Sequence, residues 1–456
     1  MARVSFNGAI VFVAALLSSS AAAQSLTDAL SLAYQHNPQL LAERAQLRST
    51  DEQMPQAVAN WRPSVQITAS QGFGHEDLSG GTALQDLIFK GQLPTTSYGA
   101  TVTEPIFRGW RTVAQTGQAR DTILGERAHL ASVEQSVLLQ AITDYADVAR
   151  DEAALTYQID NEQLLAKKLV SVRGQFAGGA LTRLDVVQTE ADHSAAVAQR
   201  RMAEASLDVS RANFLRDVGI LPQHLVYPKI AVRVPQEREK IMEAAERFHP
   251  DVVTADYKLR AAREAVTQAW GQALPTIDVQ GQYNHQDDAA FHGSRTDVEV
   301  AQVRLTWNLY EGGAIESQTR QAEQTVSQYA SEFEAARQKA GSDAISSWSR
   351  LQAERLAASA YKEEVGADEL ALTGTEAQQR GGERTILDVL NAQRALVRAR
   401  VDYNTASHDE VVEEYTFAAS LGTLSAHNLR LAAPIYDPTA NFEAVADSWF
   451  GFGIGN

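Results

Sequence analysis

The chain repeats itself, and the repeat slips once. His36–Leu47 (HNPQLLAERAQL) matches Phe248–Leu259 (FHPDVVTADYKL), with Pro38 and Pro250 in register. Pro63 and Pro275 keep the same spacing of 212 residues (250 − 38 and 275 − 63). Downstream the spacing is 203, for Phe107 and Tyr310, Gly178 and Gly381, and Gly219 and Gly422 (310 − 107, 381 − 178, 422 − 219). The nine-residue difference (212 − 203) therefore lies between Pro63 and Phe107. Exposed loops absorb length changes and packed helices do not. The duplication predicts a loop in that interval and helices of equal length after it. Each half reads as helix, hairpin, long helix, Gly-Gly turn, long helix.

Proline marks the long helices by its absence. None occurs between Pro105 and Pro222, or between Pro275 and Pro434, and both intervals are rich in strong helix formers. Leu130, Val133, Val137, Ala141, Tyr145 and Val148 step by three or four residues, one apolar stripe on a helix. A helix from about Arg108 to Phe176 reaches roughly 100 Å at 1.5 Å per residue, a length typical of coiled coils and helical arrays.

The hairpin segments alternate with period two. Ile277, Val279 and Tyr283 interleave with Asp278, Gln280, Gln282 and Asn284, and Val303, Leu305, Trp307 and Leu309 interleave with Gln302, Arg304, Thr306 and Asn308. Val65, Ile67, Ala69 and Tyr98, Ala100, Val102 do the same in the first half. Such strands have one apolar and one polar face, and suit either a soluble sheet or a membrane barrel. Four strands cannot close a barrel, and an open edge leaves backbone groups unpaired in lipid. If the hairpins lie in a membrane, several copies of the chain share one barrel.

The N-terminus has secretory grammar. Arg3 precedes an apolar run, Ala9–Leu17, and small residues ending at Ala21-Ala22-Ala23, with cleavage expected after Ala23. There is no cysteine, hence no disulfide framework and no lipid-modified cysteine. A net charge of −17 opposes a nucleic-acid partner. No His-Glu-x-x-His, phosphate-loop lysine or nucleophile-elbow motif is present, so the sequence offers no enzyme and no cofactor site.

The ordered set of doubled Asn/His-Pro segments, WRPSV and LPTID strand starts, EPIFRGW, WNLYEGG, two Gly-Gly turns and LGTL (Leu421–Leu424) resembles the TolC family of outer-membrane efflux and type I secretion channels. The likeness covers nearly the whole mature chain. It implies an α+β membrane protein: a long antiparallel coiled-coil helical barrel in the periplasm, plus a transmembrane β-barrel shared between protomers. A homotrimer would supply twelve strands and twelve long helices. The implied partners are a periplasmic adaptor (membrane fusion protein), an inner-membrane transporter and outer-membrane lipid. The expected organisation is a signal peptide at 1–23, an N-terminal helix at 24–62, hairpin 1 at 63–107 and helix pair 1 at 108–220. An equatorial linker at 221–240, a helix at 241–274, hairpin 2 at 275–310, helix pair 2 at 311–424 and an equatorial tail at 425–456 follow. The function so implied is a passive exit duct driven by its partners. The alternative is a periplasmic coiled-coil scaffold or adaptor without a barrel.

The sharpest copy is GGALTRLDVVQ (Gly178–Gln188) against GGERTILDVLN (Gly381–Asn391). Gly178-Gly179 and Gly381-Gly382 stop one helix. Thr182 and Thr385 cap the next, with Asp185 and Asp388 at the capping-box position near the positive helix end. Capping alone accounts for both aspartates. The resemblance adds a pore role: Asp388 as a ring of carboxylates at the constricted tunnel entrance, Arg384 as a gate residue and Asp185 as its acidic partner. Asn391 stands where the family carries a second acid, and Gln379 where a tyrosine is frequent. His75–Gly81 and His285–Gly293, at the hairpin tips, read as solvated loops or as divalent-cation sites. Trp61, Trp110, Trp307 and Tyr310 flank the strands, either as membrane-interface aromatics or as packing.

Overall fold

The computed structural model describes residues 25–76, 91–223, 225, 227, 237–288 and 293–451. The segment expected as a signal peptide, the stretch 77–90 expected to hold the first hairpin loop and most of the expected 221–240 linker lie outside the described residues. Helices α1 (Leu26–His36), α2 (Pro38–Asp51) and α3 (Gln53–Val58) occupy the segment expected as one N-terminal helix. The expected helix at 241–274 is likewise two, α6 (Arg238–Phe248) and α7 (Pro250–Trp270). The breaks at Pro38 and Pro250 have one cause. Proline cannot donate its backbone N–H, and it holds the preceding residue extended. Asn37 Oδ1 accepts from Gln39 N at 2.9 Å, and His249 Nδ1 accepts from Asp251 N at 3.2 Å, so each restarts a helix as its N-cap.

Strands β1 (Ser64–Glu76), β2 (Gly91–Arg108), β3 (Thr276–Asp287) and β4 (Arg295–Thr306) form one antiparallel sheet in that order. The two halves of the repeat join through β2 and β3, where Val102 opposes Gly281 and Thr101 opposes Gln282. Pro105 forces a bulge at Ile106. The register places Val65, Ile67, Phe73, Ala100, Val102, Ile277, Val279, Val303 and Leu305 on one face. Glu104, beside the bulge, interrupts the base of that face, and His285, Asp287, Arg295, Asp297 and Glu299 end it toward the hairpin tip. Gln66, Thr68, Ser97, Thr101, Asp278, Gln280, Gln282, Gln302 and Arg304 share the other face, joined near the tip by Val298 and Val300. The apolar face is bare: Ile67 is 80 % exposed and Val303 71 %.

Each hairpin turns into its long helix through two left-handed residues. Gly109 and Trp110 (both φ 63°) precede α4 (Arg111–Ala177), and Gly312 and Gly313 (φ 65° and 81°) precede α8 (Ala314–Arg380). Trp110 is the strained member, because a left-handed non-glycine residue costs about 1–2 kcal/mol. A Cβ added to Gly109 would stand 2.3 Å from Gly271 O, and one added to Gly271 would stand 2.3 Å from Gly109 O. Two backbones touch there, and only glycine allows it.

Helices α4 and α8 are both 67 residues long; α5 (Arg183–Val218) and α9 (Ile386–Ser420) are 36 and 35. Among the described residues no helix is long and apolar enough to cross a membrane. The chain divides into two compact units. One gathers Gln140–Ala231 and Glu354–Val412 with the N-terminal residues to Ala33; the other gathers Tyr34–Leu139, Val232–Ala353 and Glu413–Asn456, including the sheet. In the second, Ile241, Ala245, Val252, Ala340, Ala344, Leu351 and Phe417 form a core in which alanines let α6, α7, α8 and α9 approach. Along α4 the apolar stripe is wider than one face. Leu138, Ile142 and Ala149 are buried beside Val137, Ala141, Tyr145 and Val148, so the helix packs on two sides.

The repeat also holds a chemical mismatch inside its helices. Ser347 and Ser420 join hydroxyls at 3.0 Å. Their counterparts 203 residues earlier (347 − 144 and 420 − 217) are Asp144 and Asp217, whose carboxyls face each other. Asp144 is 2 % exposed and accepts from Gln140 Nε2 at 3.0 Å. Its pKa is pushed up to about 7, by burial first and then by Asp217; Asp217 is held low by Arg216, its ion-pair partner at 2.7 Å. A carboxyl whose folded pKa lies above its unfolded value of about 3.9 withdraws stability as pH rises between the two. Asp144→Asn keeps the shape and removes the charge. Thermal melts should show the parent losing stability between about pH 4 and pH 7 while the variant does so far less. At pH 8 the variant should be the more stable by roughly 2–4 kcal/mol per protomer. Parallel pH profiles for the two proteins would refute this reading of the pair.

Candidate functional site

The two Gly-Gly motifs build the same turn twice. Gly179 (φ 78°) ends α4: its N–H donates to Phe176 O at 2.9 Å, and Ala180 N donates to Gln175 O at 2.9 Å. Gly382 (φ 81°) ends α8 with Gly382 N to Gln379 O at 3.1 Å and Glu383 N to Gln378 O at 3.0 Å. This pairing satisfies the last helical carbonyls. Only the second glycine of each pair is left-handed. A Cβ on Gly178 would lie 3.6 Å from Gln175 O, and one on Gly381 3.4 Å from Gln378 O. The first glycine is therefore not required by the turn.

The next helix begins at a threonine that both gives and receives. Thr182 N donates to Asp185 Oδ2 at 2.8 Å, Thr182 Oγ1 donates to the same oxygen at 2.6 Å, and Asp185 N donates to Thr182 Oγ1 at 3.3 Å. At Thr385 and Asp388 the same three bonds measure 2.9, 2.8 and 3.3 Å. Aspartate closes the capping box as glutamate does elsewhere. These bonds favour the ionised carboxylate. The Thr182 hydroxyl and then its backbone N–H hold Asp185 below the usual carboxylate range. The Thr385 backbone N–H, its hydroxyl and then nearby Arg384 do so for Asp388. The helix start thus favours the charged form of both aspartates.

Asn391 is exposed, three residues beyond Asp388 and hence on the same helix face. Exposed Arg384 donates from Nε to Gln378 Oε1 at 3.3 Å within its own turn. Among the described residues no hydrogen bond or ion pair joins Arg384 to Asp185; one protomer does not bring that expected pair together. Behind the turns, Ile386 and Leu390 of the second motif pack with Leu165, Val172 and Ala196, against which Leu181 and Val186 of the first motif also lie. Lys168 meets Glu376 and Arg394 meets Asp192, each at 3.4 Å. Sequence reasoning missed these ties, since their members lie 208 and 202 residues apart and only the repeat spacing hints at them. A cavity of about 310 Å³ lies between α4, α5 and α9, lined by Leu165, Ala196, Leu390, Val397 and Val401.

The other sequence candidates fall at the sheet. Trp61, Trp110, Trp307 and Tyr310 are all exposed at the strand bases. His285 lies within β3 rather than in a tip loop, with Nδ1 2.6 Å from Asp297 and Nε2 3.2 Å from Asp287. The rest of the two tip sequences lies largely outside the described residues. Among the described residues no three His, Cys, Asp or Glu side chains group to hold a metal ion.

The model of the family described as outer membrane efflux protein matches residues 29–219 and 241–423. The outer membrane efflux protein BepC of Brucella suis is 30 % identical over 444 residues, covering 96 % of this chain and 93 % of that one. The outer membrane protein TolC of Vibrio cholerae is 24 % identical, covering 90 % and 93 %. The crystal structure of the Campylobacter jejuni CmeC outer membrane channel has the same fold, with a TM-score of 0.78 at 12 % identity over 98 % of both chains.

The turn geometry separates the two glycines of each motif. Gly179→Ala and Gly382→Ala should each cost about 1–2 kcal/mol, the price of a left-handed alanine. Gly178→Ala and Gly381→Ala should be neutral or slightly stabilising in thermal melts. Equal losses at both members of a pair would contradict the Schellman assignment.

Proposed function

The chain belongs to the outer membrane efflux protein family, and from that premise we propose how its four strands and two capped turns make an exit duct. It is an outer-membrane channel of the efflux and type I secretion kind, and it conducts passively. The observation that supports our reading best is the sheet. It has a bare apolar face, a polar face, and outer edges on β1 and β4 that pair with nothing among the described residues. In lipid such edges are untenable. Three copies pairing β4 to β1 give twelve strands, with the apolar face toward lipid and the polar face lining the lumen. The long helices then form the periplasmic tunnel, and its turns meet a periplasmic adaptor and an inner-membrane transporter.

Charge placement tests the barrel. Val279→Arg or Leu305→Arg should deplete the heat-modifiable trimer in outer-membrane extracts, at roughly 2–4 kcal/mol per site at mid-membrane. Gln280→Arg, on the opposite face, should leave it at parental levels. Equal tolerance of all three would dismiss the barrel.

At the turns, threefold symmetry makes Asp388 a ring of three carboxylates in the tunnel neck, which favours cations. Asn391 leaves the next ring neutral. Arg384, exposed and held by Gln378 within its own turn with Asp388 nearby, is placed to reach acids of the neighbouring protomer, Asp185 among them, in a closed state. Asp388→Asn should lower cation preference in planar-bilayer recordings, with a capping loss of about 1 kcal/mol or less and the trimer intact. Asn391→Asp should raise that preference. Unchanged reversal potentials in both variants would leave capping as the whole role of Asp388.

A further inference from the structure

Five of the six tryptophans gather where the strands end. Trp61 precedes β1, Trp110 follows β2, Trp270 precedes β3 and Trp307 follows β4. The fifth, Trp449, comes from the other end of the sequence. All five are between 43 % and 60 % exposed. The duplication did not put them there. Their counterparts in the other half are Ala273, Gly313, Val58 and Glu104 for the first four, at spacings of 212, 203, 212 and 203 (273 − 61, 313 − 110, 270 − 58, 307 − 104). Trp110 keeps a left-handed backbone that its counterpart Gly313 adopts without strain. Its indole meets Phe107 edge-on at 6.1 Å between ring centroids and leaves more than half of its surface exposed.

The C-terminal segment is led to this collar contact by contact. Tyr436 N donates to Tyr34 Oη at 3.0 Å, and the Arg44 guanidinium lies over both rings, at 4.5 Å from Tyr34 and 5.1 Å from Tyr436. Asn441 Nδ2 donates to Asp51 Oδ2 at 2.8 Å, and Arg127 lies over Phe442 at 5.2 Å. Arg62, two residues before β1, then donates from Nη1 to Ser448 O at 2.5 Å and stacks on Trp449 at 4.5 Å. Phe450 follows, 91 % exposed. From Ser448 to Asn456 the sequence, SWFGFGIGN, has no acidic or basic side chain.

We propose that this segment is a lipid-interface anchor: Trp449 and Phe450, delivered to the strand bases by Arg62, insert at the headgroup–acyl boundary of the membrane leaflet on the helix side of the sheet. Indole and phenyl rings beside a cation are the chemistry that partitions to that boundary. The occupant is lipid because the exposed rings stand at the end of a sheet whose bare apolar face the proposed barrel turns to lipid, and the segment that carries them has no charged side chain. The segment thereby ties the C-terminus, α2 and the first strand to one membrane depth. This inference rests on the barrel reading above.

The chain has no cysteine, so a single nitroxide can be placed at will. Phe450→Cys is labelled in the trimer reconstituted into phosphatidylcholine–phosphatidylglycerol vesicles. Val303→Cys serves as the strand reference, and Ser349→Cys, exposed on α8, as the aqueous reference. Power saturation with oxygen and with a water-soluble nickel chelate reads depth. The label at 450 should match Val303 in oxygen access and be several-fold less accessible to nickel than at 349. Arg62→Ala should raise its nickel access and leave that at 303 unchanged. Nickel access equal to 349 would overturn the anchor, as would shielding from both reagents, which means cover by a second copy. A water-like signal at 303 would overturn the barrel, and the anchor with it.

Discussion

Everything above the helices hangs on one backbone contact. Gly109 and Gly271 approach so closely that neither tolerates a Cβ, and they come from opposite halves of the repeat. One is the exit of the first hairpin, the other the approach to the second. Their contact brings β2 beside β3 and so turns two hairpins into one four-stranded sheet. Arg108 Nη1 donates to Asn60 Oδ1 at 2.7 Å and Trp307 Nε1 donates to Ala273 O at 3.0 Å around the same place. The strand bases are thus a knot of backbone and short polar contacts on which the four-stranded sheet stands.

Duplication gives the chain two of each part, and the differences between copies show where function departs from architecture. Where only folding is at stake the copies agree, as in the two proline-restarted helices and the two capped turns. At two places where they disagree, one copy carries the costlier residue. Asp144 and Asp217 replace a serine pair that would bond at any pH. Trp110 replaces an unstrained glycine. Each substitution raises the energy of the isolated fold, which makes each a place to look for a role beyond folding.

In the channel we propose, a structural and a functional role share the Asp388 carboxylate. Its Oδ2 is engaged by Thr385, and those bonds hold its pKa down. Capping therefore keeps a negative charge fixed and ionised at the start of a helix. If three such charges face one another in a neck, the cap that secures the helix also secures the selectivity.

The sequence by itself determined what depends on neighbours within about four residues. The stripe through Val137, Ala141 and Tyr145, the period-two strands around Val279 and Leu305, and the Gly-Gly-x-x-Thr-x-x-Asp turns all follow from side-chain periodicity and local hydrogen bonding. The breaks at Pro38 and Pro250 were equally local, yet a long run of helix formers masked them. Tertiary structure alone decided what joins distant segments. That includes the Gly109–Gly271 approach, the Asp192–Arg394 tie, the turn-bound position of Arg384 away from Asp185, and the Arg62 clasp on Trp449. No local pattern specifies such contacts, because each exists only once two packed elements have brought together residues that the chain keeps far apart.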